Sequence, residues 1–165
     1  MTEKHTFAPL FDSTSRVLIL GSFPSVKSRE TGFYYGHPRN RFWKIISDIF
    51  NSELPQTIED KKQLILQNRL ALWDVIESCD ITGSSDSSIK NVKPNNLGII
   101  LDNCNISHII TNGTTAYSLY NKYQKDITGI NAVRLPSTSP ANAAWSYDKL
   151  KSEWNIIKQY TVPTS

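Results

Sequence analysis

The run TGFYYGHPRNRFWKII, residues 31–46, concentrates the side chains best suited to chemistry. Phe33, Tyr34 and Tyr35 stand next to His37, Arg39, Asn40 and Arg41, just ahead of an amphipathic stretch. Aromatic rings stack on bases and guanidinium groups meet phosphates, so rings interleaved with cations suit a nucleic-acid surface. A structural reading stands beside this one: Asn40 is a good N-cap for a helix beginning at Arg41, and the rings could roof a sheet. A second polar cluster, GSSDSSIK at residues 83–90, sets Ser84, Ser85, Ser87 and Ser88 near Lys90. Its hydroxyl, amide and ammonium donors suit phosphate, or else form a flexible polar loop.

Charge placement favours the nucleic-acid reading. The 165 residues include 18 Lys and Arg against 15 Asp and Glu, a net charge of +3. Between Arg16 and Lys44, however, six basic residues (Arg16, Lys27, Arg29, Arg39, Arg41 and Lys44) accompany a single acid, Glu30. A positive stretch in a near-neutral chain points to a polyanionic partner.

Spacing excludes other chemistries. Cys79 and Cys104 form no CxxC, which leaves zinc and iron–sulfur centres without a ligand set, so no metal is expected. GSFPS, residues 21–25, lacks the second glycine and the Lys-Ser/Thr pair of a phosphate loop, and no GxGxxG follows a strand. No cofactor is expected. No Ser/His/Asp arrangement stands out either, with His5 in the N-terminal tail and His108 in a strand. No apolar run approaches the roughly 20 residues that cross a bilayer. The N-terminus lacks the apolar core of a signal peptide. The expected setting is therefore intracellular, in the cytoplasm or on the nucleoid, with no membrane partner, and the expected state is a monomer.

Periodicity supplies the elements that must position these residues. Continuous apolar runs at 17–20, 70–76, 106–111 and 132–135 read as buried strands. Phe42, Ile45, Ile46, Ile49 and Phe50 recur at helical spacing, and further helices are expected over 59–68, around Leu97 to Cys104, from Ala116 to Tyr123, and through Leu150, Trp154 and Ile157. Strand followed by helix, four times, predicts one α/β domain over 1–165 with a parallel sheet covered on both faces. Ligands of such sheets bind beyond the carboxyl ends of the strands. The loops expected there are 23–39, 77–93, 112–114 and 136–145, and the first carries the basic stretch.

Three strings, GSFPS after the first strand, TGFYYGHPRNRFW into the first helix and LPSTSPANA after the last strand, resemble the uracil-DNA glycosylase superfamily. The closest likeness is to its hypoxanthine-DNA glycosylase branch. The resemblance implies a three-layer α/β/α sandwich with a four-stranded parallel sheet. It implies an enzyme that flips a deaminated base out of double-stranded DNA and hydrolyses its N-glycosidic bond without metal or cofactor. Phe23 stands where the mismatch branch has asparagine, so the catalytic role falls on the asparagine of the HP-x-N run, Asn40. Tyr35 takes the position that stacks on the flipped base, and the backbones of Gly21, Ser22 and Phe23, with Asn112, are expected at the base edge. His37 could give a proton or a hydrogen bond to the leaving base, or simply shape the Pro38 turn. Ser25, Lys27, Arg39, Arg41, Ser84, Ser87, Ser88, Ser137 and Ser139 are expected along the DNA backbone. Ala141 and Asn142 fall where related enzymes fill the vacated stack.

These residues imply a monofunctional glycosylase acting chiefly on hypoxanthine. A mismatch-specific uracil or thymine glycosylase of the same fold is the alternative. A catalytically inactive nucleic-acid or nucleotide-binding α/β domain is the reading from a different class.

Overall fold

The computed structural model describes residues 2–5, 7–82 and 86–162. After a short β1 (Thr2–Lys4), the apolar run anticipated from the sequence forms β2 (Val17–Gly21), all five residues of which are buried. A strand buried along its whole length must be covered on both faces. Beyond β2 the chain makes α1 (Val26–Thr31), α2 (Phe42–Ile49) and α3 (Ile58–Gln67) before β3 (Leu70–Asp74). Ser25 caps α1 by accepting the Ser28 N–H, Thr57 caps α3 through Asp60, and Gly32 ends α1 at φ 84°. After β4 (Ile76–Asp80), β5 (Lys90–Pro94) and α4 (Gly98–Leu101) come β6 (His108–Asn112), α5 (Thr114–Tyr123), α6 (Lys125–Thr128), β7 (Ala132–Leu135), α7 (Tyr147–Trp154) and α8 (Ile157–Tyr160).

β3, β2, β6 and β7 form a parallel sheet in that order, the centre of an α/β/α sandwich. Helix α2 turns Phe42, Trp43, Ile45, Ile46 and Ile49 inward and meets α7, where Phe42 stands edge-on to Trp154 at 5.9 Å. Helix α5 packs across β6 and β7.

The 70–76 run corrects one expectation. Its residues are all buried, which conceals a corner at Val75. The Val75 and Ile76 amides donate to the Gly21 and Ser22 carbonyls, and the chain then leaves the parallel sheet. Buried Asn95 donates to the carbonyls of Asp74 and Ile76, and Gln124 to those of Val75 and Asn95, so the turned backbone is satisfied by side chains. Most of the expected loop 77–93 is accordingly a hairpin, β4 and β5, which β1 joins in a second, antiparallel sheet. The N-terminal tail is ordered by this sheet and then runs to an isolated antiparallel bridge between Leu10 and Leu72.

Candidate active site

β2 and β6 lie side by side at the middle of the parallel sheet, with β3 outside one and β7 outside the other. Their following loops diverge, and a crevice opens between them. A cavity of about 130 Å³ fills it, with Gly21, Phe23, Tyr35, Asn40, Asp74 and Asn112 in its lining.

Sheet register sets the floor. Gly21 pairs with Asp74 and Leu20 with Thr111, so Asp74, Gly21 and Asn112 form one row across three strands. Gly21 is required for space: a Cβ there would lie 2.4 Å from Asp74 Oδ1 and 3.2 Å from Tyr35 Oη. Tyr35 adopts φ 53°, uncommon for a residue with a side chain. Its ring stacks on Phe42 with centroids 4.1 Å apart, while its hydroxyl reaches the floor and is buried without a hydrogen-bond partner among the described residues. Burial first, then the Asp74 carboxylate, push this hydroxyl far above the ordinary tyrosine range, with Asn112 opposing. It therefore remains a proton donor. Tyr34 is pushed up in the same way, by burial and then Asp74, and its hydroxyl donates to the Ala8 carbonyl.

Asn40 stands in the cavity wall and also serves as a cap, its Oδ1 accepting the Phe42 N–H at 3.0 Å. The capping expectation is thus met in shifted form, with the helix starting one residue later than expected, at Phe42. A carbonyl oxygen has two lone pairs, so the cap leaves an acceptor site unused.

The surrounding hydrogen bonds give three of the expected site residues partners within the protein. His37 is outside the cavity lining, and its Nδ1 accepts the Arg39 N–H at 3.0 Å, which makes it a turn former. Arg41 directs its guanidinium to the carbonyls of Trp145 and Asn142, at 2.5 and 3.1 Å, and so clamps the 136–145 loop. Asn142 turns its own amide back to the Ser137 carbonyl at 3.0 Å. Asn112 lines the cavity, yet its carboxamide closes on Thr138, accepting the Thr138 N–H and donating to its Oγ1, each at 3.0 Å.

Other expected DNA contacts divide by exposure. Lys27, Arg39, Ala141 and Ser87 are exposed, with Lys27 3.4 Å from Glu30. Ser137 and Ser139 cap the backbone of their own loop, and Ser88 bonds Thr82. Ser22 and Phe23 line the cavity beside Ser25, and Ser84 lies outside the described residues. Sequence reasoning missed Asp74 and His5, which meet at 2.7 Å with side chains 4% and 3% exposed. An acid closing a continuous apolar strand, LALWD, was a legible signal for Asp74; nothing local marked His5.

The Uracil DNA glycosylase superfamily model matches residues 8–160. The chain belongs to that superfamily. A Hypoxanthine DNA glycosylase of Methanosarcina acetivorans is 32% identical over 158 residues, covering 93% of this chain and 97% of the relative. One from Methanosarcina barkeri is 32% identical over 113 residues, 67% of this chain and 72% of the relative. A solution NMR structure from M. acetivorans, described as a candidate uracil DNA glycosylase, superimposes with a TM-score of 0.80 at 30% identity, covering 98% of this chain and 99% of that one. In this glycosylase Asn40 of the GHPRNRFW string and Ser137, Thr138 and Ser139 of LPSTSPANA line the cavity. Arg41 and Thr138 bind the two together: the Arg41 N–H donates to the Thr138 carbonyl at 3.1 Å. A second, open groove of about 590 Å³ continues from the cavity past Ser137 and Ser139 to Arg134 and Trp145.

Proposed function

We propose that this glycosylase excises deaminated bases, chiefly hypoxanthine, from double-stranded DNA as the first step of base-excision repair. The observation that carries the reading is the pair of oxygens over Gly21. Asp74 Oδ1 is an acceptor, and the Tyr35 hydroxyl is a donor with no hydrogen-bond partner among the described residues. A deaminated base presents the complementary pair, a ring N–H beside a carbonyl oxygen. Adenine and cytosine present a bare ring nitrogen and an amino group at those positions, and a carboxylate facing a lone pair is repelled. Leaving buried polar groups unmatched is costly, which makes such a site selective. The names carried by both Methanosarcina relatives support a purine as the preferred substrate.

Asn40 directs a water molecule at the anomeric carbon through the free lone pair of its Oδ1. An amide is no base, so the barrier falls through positioning and through stabilisation of charge as the bond breaks. The Tyr35 hydroxyl contributes to the latter, because its hydrogen bond to the base oxygen strengthens as the base becomes an anion. Exposed Lys27 and Arg39 meet phosphates.

Cleavage of matched duplexes containing deoxyinosine or deoxyuridine, followed by alkali, tests the substrate. Inosine strands should be cut. Intact inosine strands beside cut uracil strands would favour the mismatch-type reading, since uracil offers the same N–H and carbonyl pair.

A further inference from the structure

The Asp74 carboxylate is held from one side by a residue remote in sequence, in the N-terminal segment. His5 Nε2 lies 2.7 Å from Asp74 Oδ2. The Phe7 backbone N–H points at His5 Nδ1 from 3.2 Å. A backbone amide always donates, so Nδ1 must accept and carries no hydrogen, which assigns the imidazole proton to Nε2. That proton is donated to Oδ2. The other carboxylate oxygen, Oδ1, is turned to the space over Gly21.

The imidazole is itself tightly enclosed. Phe7 and Phe23 meet it edge-on at 5.5 and 6.1 Å, and Tyr34 lies 5.9 Å away. Its backbone is tied at the N–H, which donates to the Glu77 carbonyl at 2.7 Å, and Glu3 pairs with Arg29 of α1 at 3.2 Å. Tyr34 holds the segment again at Ala8.

We infer that His5 is a positioning residue for base selection: it fixes the rotation of the Asp74 carboxylate and occupies Oδ2, so that Oδ1 alone faces the base and accepts its ring N–H. The N-terminal segment thereby completes the base pocket. This inference rests on the base-reading role given above to Asp74.

Nitrogen-15 NMR of histidine-labelled, unmodified protein reads the tautomer directly. His5 should show a protonated Nε2 and a bare Nδ1; a protonated Nδ1 would overturn the assignment. Selection is read from single-turnover excision of duplexes containing deoxyinosine or deoxynebularine, a purine that lacks both the ring N–H and the carbonyl. His5→Leu should lower the inosine-to-nebularine rate ratio by about tenfold or more. His5→Gln, whose amide can donate to Oδ2, should restore most of it. If Asp74→Asn collapses the ratio while a folded His5→Leu leaves it intact, His5 has no part in selection and the inference fails. If neither variant moves the ratio, the base-reading role of Asp74 fails instead. Should His5→Leu not fold, the tautomer and the His5→Gln ratio decide: a Gln variant that folds but loses selection counts against the donor role.

Discussion

Gly21, Tyr35 and Asn40 each meet two demands at one position, which makes their variants informative. Adding a methyl group at Gly21 drives a carbon to 2.4 Å from Asp74 Oδ1. Gly21→Ala should cost about 10²-fold in excision rate, the penalty typical of an ångström-scale misplacement, while circular dichroism still reports the native fold. Tyr35→Phe deletes a buried hydroxyl that has no hydrogen-bond partner among the described residues. Burying such a group unpaired costs about 1–3 kcal/mol, so the variant should melt no lower than the parent and yet excise inosine more slowly. Asn40→Ala removes a cap worth about 0.5–2 kcal/mol. A catalytic Asn40 requires the single-turnover rate to fall by far more than that loss explains, with duplex affinity kept. A rate that falls only in proportion to stability would leave Asn40 as a cap.

At the level of elements, the working surface consists of loops that hold one another. Arg41 at the start of α2 binds two carbonyls of the loop after β7, and Thr138 of that loop binds Asn112 at the end of β6. Arg41→Ala should lower stability by about 1–3 kcal/mol, the scale of hydrogen bonds from a charged donor, and slow excision by loosening the cavity wall. Its DNA affinity should keep the same salt dependence. Arg39→Ala should do the opposite: melting unchanged, and the slope of log affinity against log salt reduced by about 0.9. Equal salt slopes for the two variants would put Arg41 back on the DNA-facing side.

On the scale of the whole molecule, the buried tyrosines make stability depend on alkaline pH. Tyr34 and Tyr35 keep their protons in the folded chain well beyond the ordinary value of about 10 for free tyrosine. Below that value both the folded and unfolded chains are protonated, and these groups leave stability unchanged. Above it the unfolded chain releases protons that the folded chain retains, so stability falls as pH rises. Tyr34→Phe should therefore show a shallower decline in melting temperature than the parent between about pH 10 and 11. An equal decline would show that Tyr34 does not contribute.

What the sequence alone determined was local. The apolar runs of β2 and β7, the stripe of α2 and the capping propensity of Asn40 all depend on residues within a turn or two of one another. The three strings identified the superfamily because their order and spacing are linear properties. Tertiary structure decided the rest. The corner at Val75 is invisible to a hydrophobicity pattern, since both sides of it are buried. Arg41 turned inward because two carbonyls of a loop about a hundred residues away stood within its reach. His5 and Asp74, separated by 69 positions, meet only because the antiparallel pairing of β1 with β4 returns the N-terminus to the edge of the parallel sheet. Side-chain type limits which bonds a residue can make, but the path of the backbone selects its partner.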